Sequence, residues 1–179
     1  MSLKSKLNHF SGILILAILL LAGCAVPQHF WPQEDITASD IATIPGKPLV
    51  LIASRASEYK TELVAELREE LSAAHISHKT IGITQLDQVD ATDYAAVVVI
   101  NTCLAWGLDH EVSAFLDRQK TTGNIILLTT SGEGSWLPDK NGYDFDAISG
   151  ASVNENVRDV ARNLMKKIQE RLQDQKRNV

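Results

Sequence analysis

One stretch of the chain combines a buried strand with residues that could contact a ligand. Residues 95–100 are small or β-branched, and Thr102, Trp106 and Gly107 follow them. A hydroxyl can hydrogen-bond a ligand, and an aromatic beside a glycine can stack on a planar ring. Alternatively, Trp106 packs against Trp136 as a lid. Ligands of open α/β sheets sit at the carboxyl ends of the strands, so we predict a site here.

A second group of polar residues follows the first apolar run, residues 49–53. Ser54, Arg55 and Ser57 offer hydroxyls and a cation just before a predicted helix, as an anion site requires. Glu58 opens that helix, and its carboxylate already satisfies the helix dipole and would repel a phosphate. The alternative is a plain turn in which Ser57 is the helix N-cap.

Apolar runs alternate with helical patterns along the rest of the chain. We predict strands over 49–53, 75–83, 94–101, 124–130 and 145–149, and helices over 58–74, 110–119 and 153–172. This alternation predicts an α/β fold, a five-stranded parallel sheet of order 2-1-3-4-5 with helices on both faces. The loop at Ser131 and Gly132 would join Thr102 at the same sheet edge.

Composition narrows the class of function. The 179 residues are 45% hydrophobic with a formal charge of −5, which excludes a nucleic-acid surface. No residues have the spacing of a metal site or a catalytic group, and an enzyme is not the favoured reading. Residues 109–111 (Asp-His-Glu) are expected to form a solvated helix start, because consecutive helical residues point in different directions. Cys103 is either a small buried apolar residue or a thiol activated by a helix N-terminus.

Three loops give residues 47–172 a resemblance to the flavodoxin-like family, a three-layer sandwich. Residues 54–59 lie where that family has a phosphate loop. Residues 101–107, followed by 111–116 (Glu-Val-Ser-Ala-Phe-Leu), are similar to its aromatic-Gly loop and next helix, and 129–134 to its fourth-strand loop. The resemblance implies FMN binding, with these contact residues: Ser54, Arg55, Ser57, Thr102, Trp106, Gly107, Ser131 and Gly132.

The phosphate loop departs from the family pattern at two positions. Glu58 replaces the glycine, and Tyr59 falls on the last hydroxyl position. Replacing Glu58 by glycine is therefore expected to strengthen FMN binding. Three functions stay open. The favoured one is a non-catalytic binding or assembly module without a cofactor, for a protein partner or a small anionic ligand. The others are an FMN electron carrier and an enzyme acting on a small anionic ligand at this edge.

The N-terminus has the pattern of a targeting signal. Lys4 and Lys6 precede the aliphatic run 13–21, which ends in Leu21-Ala-Gly-Cys24. This ending resembles the lipobox of bacterial lipoproteins. The resemblance implies a signal peptide over 1–23 and a mature chain acylated at Cys24, with the lipid bilayer as its partner. The protein would face the periplasm or the cell surface, on the outer membrane if the cell is Gram-negative. Residues 24–46 are predicted as a tether, and 173–179 as a polar tail.

Residues 146–152 (Asp-Ala-Ile-Ser-Gly-Ala-Ser) are similar to the sequence on which a flavin transferase attaches FMN covalently. Ser152 occupies the acceptor position. The favoured alternative is a capping box, in which Ser152 and Glu155 bond each other's backbone N–H groups at the start of the last helix.

Overall fold

A computed structural model describes residues 33–41, 44–104, 106–140 and 142–177. The described residues contain a single sheet flanked by helices on both faces. The strands are β1 (Ser39–Ile41), β2 (Leu49–Ser54), β3 (Ser77–Gly82), β4 (Ala96–Thr102), β5 (Ile125–Ser131) and β6 (Asp146–Ala151). The α-helices are α1 (Glu58–Ala73), α2 (His110–Arg118) and α3 (Val157–Arg177). Short 3₁₀ segments lie at Ile83–Gln88, Ala91–Asp93 and Asn154–Asn156.

The sheet confirms the predicted topology. Its order is β1-β3-β2-β4-β5-β6, and the five strands from β2 to β6 are parallel. Those five strands have the order 2-1-3-4-5, which is the flavodoxin-like arrangement. β2, β4 and β5 are central and almost wholly buried, as their continuous apolar runs predict. The loops that follow β2 to β6 meet at one side of the sheet, here called the carboxyl edge.

Two apolar cores lie on the two faces of the sheet. α1 and α3 pack on one face, where Leu63, Leu67 and Leu164 are fully buried. α2 and the 3₁₀ segment after β3 cover the other face, with Phe115 and Phe145 at its centre. Ser57 caps α1 as predicted, because its side chain accepts a hydrogen bond from the N–H of Lys60.

The structure differs from the sequence prediction in part of the tether. Residues 33–41 pack on the domain, and β1 within them pairs antiparallel with β3. β3 was predicted as a half-exposed edge strand, but its side chains at His78 and Thr80 are buried. Backbone pairing, rather than burial of side chains, holds this three-residue edge strand. Such a strand needs no apolar alternation, and the tether sequence shows none.

The last helix also differs from its prediction at both ends. It begins at Val157, after a 3₁₀ turn whose N-cap is Val153 and has no side-chain cap. The predicted capping box is wrong, because the N-cap position falls on Val153 and Ser152 does not cap the turn. Asn156 makes the local bonds instead, donating to Ala151 O at 2.9 Å and accepting from Tyr59 Oη at 3.1 Å. The helix continues to Arg177, through most of the predicted polar tail.

The predictions for the N-terminus lie outside the described residues. They concern the signal peptide, the acylated Cys24 and the first part of the tether. Among the described residues, none of the helices has the length and apolar character needed to cross a bilayer.

Candidate functional site

The guanidinium of Arg55 is the centre of the carboxyl edge. Its Nε lies 2.9 Å from Asp109 Oδ2, its Nη2 lies 3.0 Å from Glu111 Oε2, and its Nη1 lies 3.0 Å from Asp35 Oδ1. Arg55 is 8% exposed and Asp109 is 4% exposed, so this is a largely buried ion cluster. Three carboxylates of the chain pair with Arg55, the cation that the sequence suggested would bind an external anion.

Asp109 and Glu111 converge on this cluster, contrary to the solvated helix start that was predicted. Asp109 is the N-cap of α2, so its side chain is free of helical geometry and turns back to accept from the N–H of Glu111. Its own N–H donates to Asn101 Oδ1 at 2.8 Å. The rule that neighbouring helical residues diverge applies inside a helix and fails at its cap.

The charges of the cluster shift three pKa values. Burial opposes the charged form of Arg55, but the carboxylates outweigh it and hold the pKa above its ordinary value. Burial also opposes ionised Asp109, yet hydrogen bonds with Glu111 and Arg55 hold its pKa below the usual range. The hydrogen bond with Asp109, followed by burial, raises the pKa of Glu111. Of the two neighbouring carboxyls, Glu111 therefore protonates first as the pH falls.

Residues 33–36, here called the strap, lie across the loop where a flavodoxin-like protein would hold a phosphate. Glu34 O accepts from the N–H of Ala56 at 2.7 Å, and the N–H of Ile36 donates to Ser54 O at 3.3 Å. Asp35 and Arg55 form an antiparallel bridge between these two bonds. The backbone N–H of Ala56, which a phosphate would need, is therefore bonded to the chain itself.

The carboxylate of Asp35 fixes the strap. Oδ1 accepts from the N–H of Ile83 at 2.9 Å, and Oδ2 accepts from the N–H and the hydroxyl of Thr84. Gly82 makes room for it, since a Cβ there would lie 2.4 Å from Asp35 Cγ. With Arg55, these donors satisfy both carboxylate oxygens.

Lys60 is buried behind the strap. It is 4% exposed, and its Nζ donates to Thr102 Oγ1, whose hydroxyl donates to Gln33 Oε1 at 3.0 Å. Burial lowers the pKa of Lys60 to about 8, against the attraction of Asp109. The sequence contained a signal that Lys60 would be buried, because position 60 shares one helical face with the apolar positions 64, 67 and 71.

Trp106 has the opposite environment. It is 73% exposed and lies in a tight turn closed by a 3.0 Å bond from the N–H of Gly107 to Leu104 O. Its φ of 61° is in the left-handed region. This exposure contradicts a lid packed on Trp136 and leaves the indole available. Burial raises the pKa of Cys103, although the N–H groups of Trp106 and Gly107 bond its sulfur, so the thiol is not activated.

Some of the remaining predicted contact residues already have hydrogen-bond partners within the chain, and others do not. Ser54 is buried, and its hydroxyl donates to Arg55 O. Ser131 accepts from the N–H of Gly134 at 2.9 Å within its own turn. Gly132 is exposed with open space around it. The structure thus brings the predicted residues to one edge, as expected, but most of their polar atoms already have partners in the chain.

The strap residues Gln33 and Asp35 were missed because the segment has no periodicity and was assigned to the tether. Tyr59, which stands at a hydroxyl position of the flavodoxin pattern, points into the core beside α3 and bonds Asn156. Within the described parts of the chain, no cluster of three His, Cys, Asp or Glu residues could hold a metal ion.

The first loop does not fit the phosphate of FMN. Ala56 N–H, the Ser54 hydroxyl and the Arg55 guanidinium all have intramolecular partners, and Glu58 adds a carboxylate at the helix start. A phosphate would have to displace the strap and face the carboxylates around Arg55. Only the exposed ring of Trp106 retains the geometry of a flavin contact.

Comparisons with known proteins agree on the fold. Neither protein-family models nor curated protein sequences match the chain. An oxidoreductase from Corynebacterium diphtheriae superposes with a TM-score of 0.50 at 13% identity, over 69% of this chain and 98% of that one. A Streptococcus pneumoniae flavodoxin gives 0.46 at 11% identity, over 71% and 98%. A short-chain flavodoxin associated with a bacterial microcompartment gives 0.47 at 15% identity, over 68% and 99%.

Identities this low concern the fold alone. The order of the five parallel strands identifies the domain as a flavodoxin-like α/β sandwich.

Proposed function

We propose that this chain is a bacterial lipoprotein, anchored through acylated Cys24, that carries a flavodoxin-like domain as a non-catalytic binding module without flavin. Its carboxyl edge is the interaction surface. The sequence Leu21-Ala-Gly-Cys24 supports the anchor. It follows that the domain faces the periplasm or the cell surface.

The proposal that the module holds no flavin rests on one observation, the position of the strap across the first loop. Its pairing with residues 54–56 consumes the N–H of Ala56, and Asp35 neutralises part of the charge of Arg55. FMN would have to break these bonds before its phosphate could enter. Losing the two backbone bonds of the strap and the charged hydrogen bond between Arg55 and Asp35 costs about 3–6 kcal/mol. This exceeds what stacking on Trp106 returns, about 0.5–1.5 kcal/mol.

The experiment is an absorption spectrum of the full chain purified from its host, followed by FMN titration. The protein should be colourless, with FMN binding no tighter than about 10 μM, or about −7 kcal/mol. Trp106→Ala should not change this weak affinity. Glu58→Gly should not create tight binding either, because the strap still covers the loop; this revises the expectation from sequence.

The second candidate is an FMN electron carrier, and the exposed indole of Trp106 beside Gly107 favours it. A yellow protein, or an FMN affinity below micromolar that Trp106→Ala abolishes, would establish the carrier and overturn the flavin-free module.

A further inference from the structure

The exposed apolar side chains of the domain concentrate near one side. Among the described residues, the large hydrophobic side chains that are exposed are Trp106 at 73%, Leu137 at 49% and Val153 at 45%. Trp106 follows β4 and Val153 follows β6, so both lie at the carboxyl edge. Leu137 lies on the crossover that leaves this edge after β5. Single exposed apolar residues are ordinary, but two of these three at one edge point to a shared contact.

The backbone conformation of Trp106 shows that the local turn fixes its side chain in an exposed position. A non-glycine residue in the left-handed region is strained, and such strain persists where the surrounding structure enforces it. Here the N–H of Gly107 bonds Leu104 O and closes the turn. The turn leaves most of the indole exposed.

The chain toward the N-terminus leaves from the same edge. Gln33 accepts from Thr102, the last residue of β4, four positions before Trp106. Gln33 lies nine positions after Cys24. A chain of that length reaches at most about 30 Å. A lipid on Cys24 would therefore keep the carboxyl edge close to the bilayer.

We propose that the carboxyl edge docks on the lipid surface that holds the anchor, with Trp106 in the headgroup region and Val153 at the same edge. This deepens the proposed function and rests on its lipid anchor. Tryptophan is enriched at the membrane–water interface, where its ring sits among headgroups.

The charge of the carboxyl edge indicates which lipid headgroups it can approach. Glu34, Glu58 and Glu133 are exposed on the strap and on loops at this edge. Loss of Lys4 and Lys6 with the signal peptide would take the formal charge from −5 to −7. The docking surface therefore suits zwitterionic headgroups, and anionic lipids should weaken the contact.

The test uses the full acylated chain in phosphatidylcholine vesicles, with Trp31→Phe and Trp136→Phe so that Trp106 is the sole reporter. Phosphatidylcholine brominated on its acyl chains should quench the emission of Trp106, and ordinary phosphatidylcholine should shift that emission to the blue. Replacing half of the lipid by phosphatidylglycerol should reduce both effects. In the matched control, which retains half-buried Trp136 with Trp31→Phe and Trp106→Phe, quenching should be weaker.

Flotation of the same vesicles separates the two proposals. Protein that floats with the vesicles but shows no quenching retains its anchor and overturns the docking. Emission that is blue-shifted without quenching, and depends on protein density, would assign the edge to a second copy of the chain instead. Protein that does not float would overturn the anchor and, with it, the docking.

Discussion

Arg55 and Lys60 show how burial changes the role of a charged residue. Both lie where a phosphate-binding protein would use cations, yet Arg55 is paired with three carboxylates and Lys60 is sealed behind the strap. Charges buried in this way hold the edge together rather than bind a ligand. Their removal should therefore change stability, with opposite signs for the two residues.

Arg55→Met should destabilise the domain by about 3–5 kcal/mol, because it removes the cation that is paired with the buried carboxylate of Asp109. Urea unfolding at pH 7 measures this cost. Arg162→Ala is the control, since that arginine makes an exposed pair with Asp159 on α3, and its loss should cost less than about 1 kcal/mol. A cost for Arg55→Met as small as that of the control would contradict the buried cluster.

Lys60→Met should stabilise the domain at neutral pH. The folded state lowers the pKa of Lys60 from 10.5 to about 8, so folding penalises the bound proton. The full penalty, up to about 3 kcal/mol, applies below pH 8, and stability recovers as the pH rises from 8 toward 10.5.

Unfolding between pH 7 and pH 9 measures this dependence, and the raised pKa of Cys103 opposes it only near pH 9 and equally in all three proteins. Stability should rise over this range in the parent and in the control Lys166→Met, whose lysine is exposed, but less in Lys60→Met. Identical pH profiles in all three proteins would show that Lys60 ionises normally.

At the scale of elements, the strap and the last helix depend on contacts that local sequence does not announce. The strap is held by backbone bonds and by Asp35, and the entry to α3 is held by Asn156. Both can be tested by substitutions that remove one partner at a time.

Gly82→Ala should destabilise the domain by about 1–3 kcal/mol, because the added Cβ would overlap the carboxylate of Asp35. Asp35→Ala should destabilise it as well, but the double variant should cost less than the sum, by about 0.5–3 kcal/mol. Chemical denaturation of the four proteins gives the coupling. Gly132→Ala, with open space around the new methyl, is the control and should change stability by less than about 0.5 kcal/mol. Additive costs would mean that Asp35 does not occupy the space above Gly82.

Asn156→Ala should cost about 1–3 kcal/mol, since it leaves Tyr59 and the Ala151 carbonyl without their partner. Ser152→Ala should cost less than about 0.5 kcal/mol because Ser152 is exposed. Thermal unfolding compares the two variants.

Flavin fluorescence of the denatured chain should be absent in both, and a flavin-bearing band lost only in Ser152→Ala would make Ser152 a covalent acceptor.

At the scale of the whole molecule, the proposed anchor decides where the domain works. Cys24→Ser should abolish labelling by a fatty acid and leave either an uncleaved or a soluble chain, because no thiol remains to carry the lipid. Mass spectrometry and membrane fractionation check this result. Unchanged mass and unchanged membrane partitioning in the variant would contradict the anchor.

The fold was largely predictable from the sequence because it depends on patterns along short segments. The continuous apolar runs in β2, β4 and β5 require burial on both faces, and the helices between them require parallel crossovers. The carboxyl edge follows from that topology, so the location of the candidate site was also predictable. Ser57 as the cap of α1 was visible for the same local reason.

The partners at the edge depended on the tertiary structure. Asp35 and Arg55 are twenty residues apart, and Arg55 and Asp109 are fifty-four apart. No spacing along the chain encodes such pairs, because folding alone brings the tether segment, β2 and the cap of α2 together. The sequence therefore indicated residues capable of holding an anion, whereas the fold decided that the chain's own carboxylates meet them.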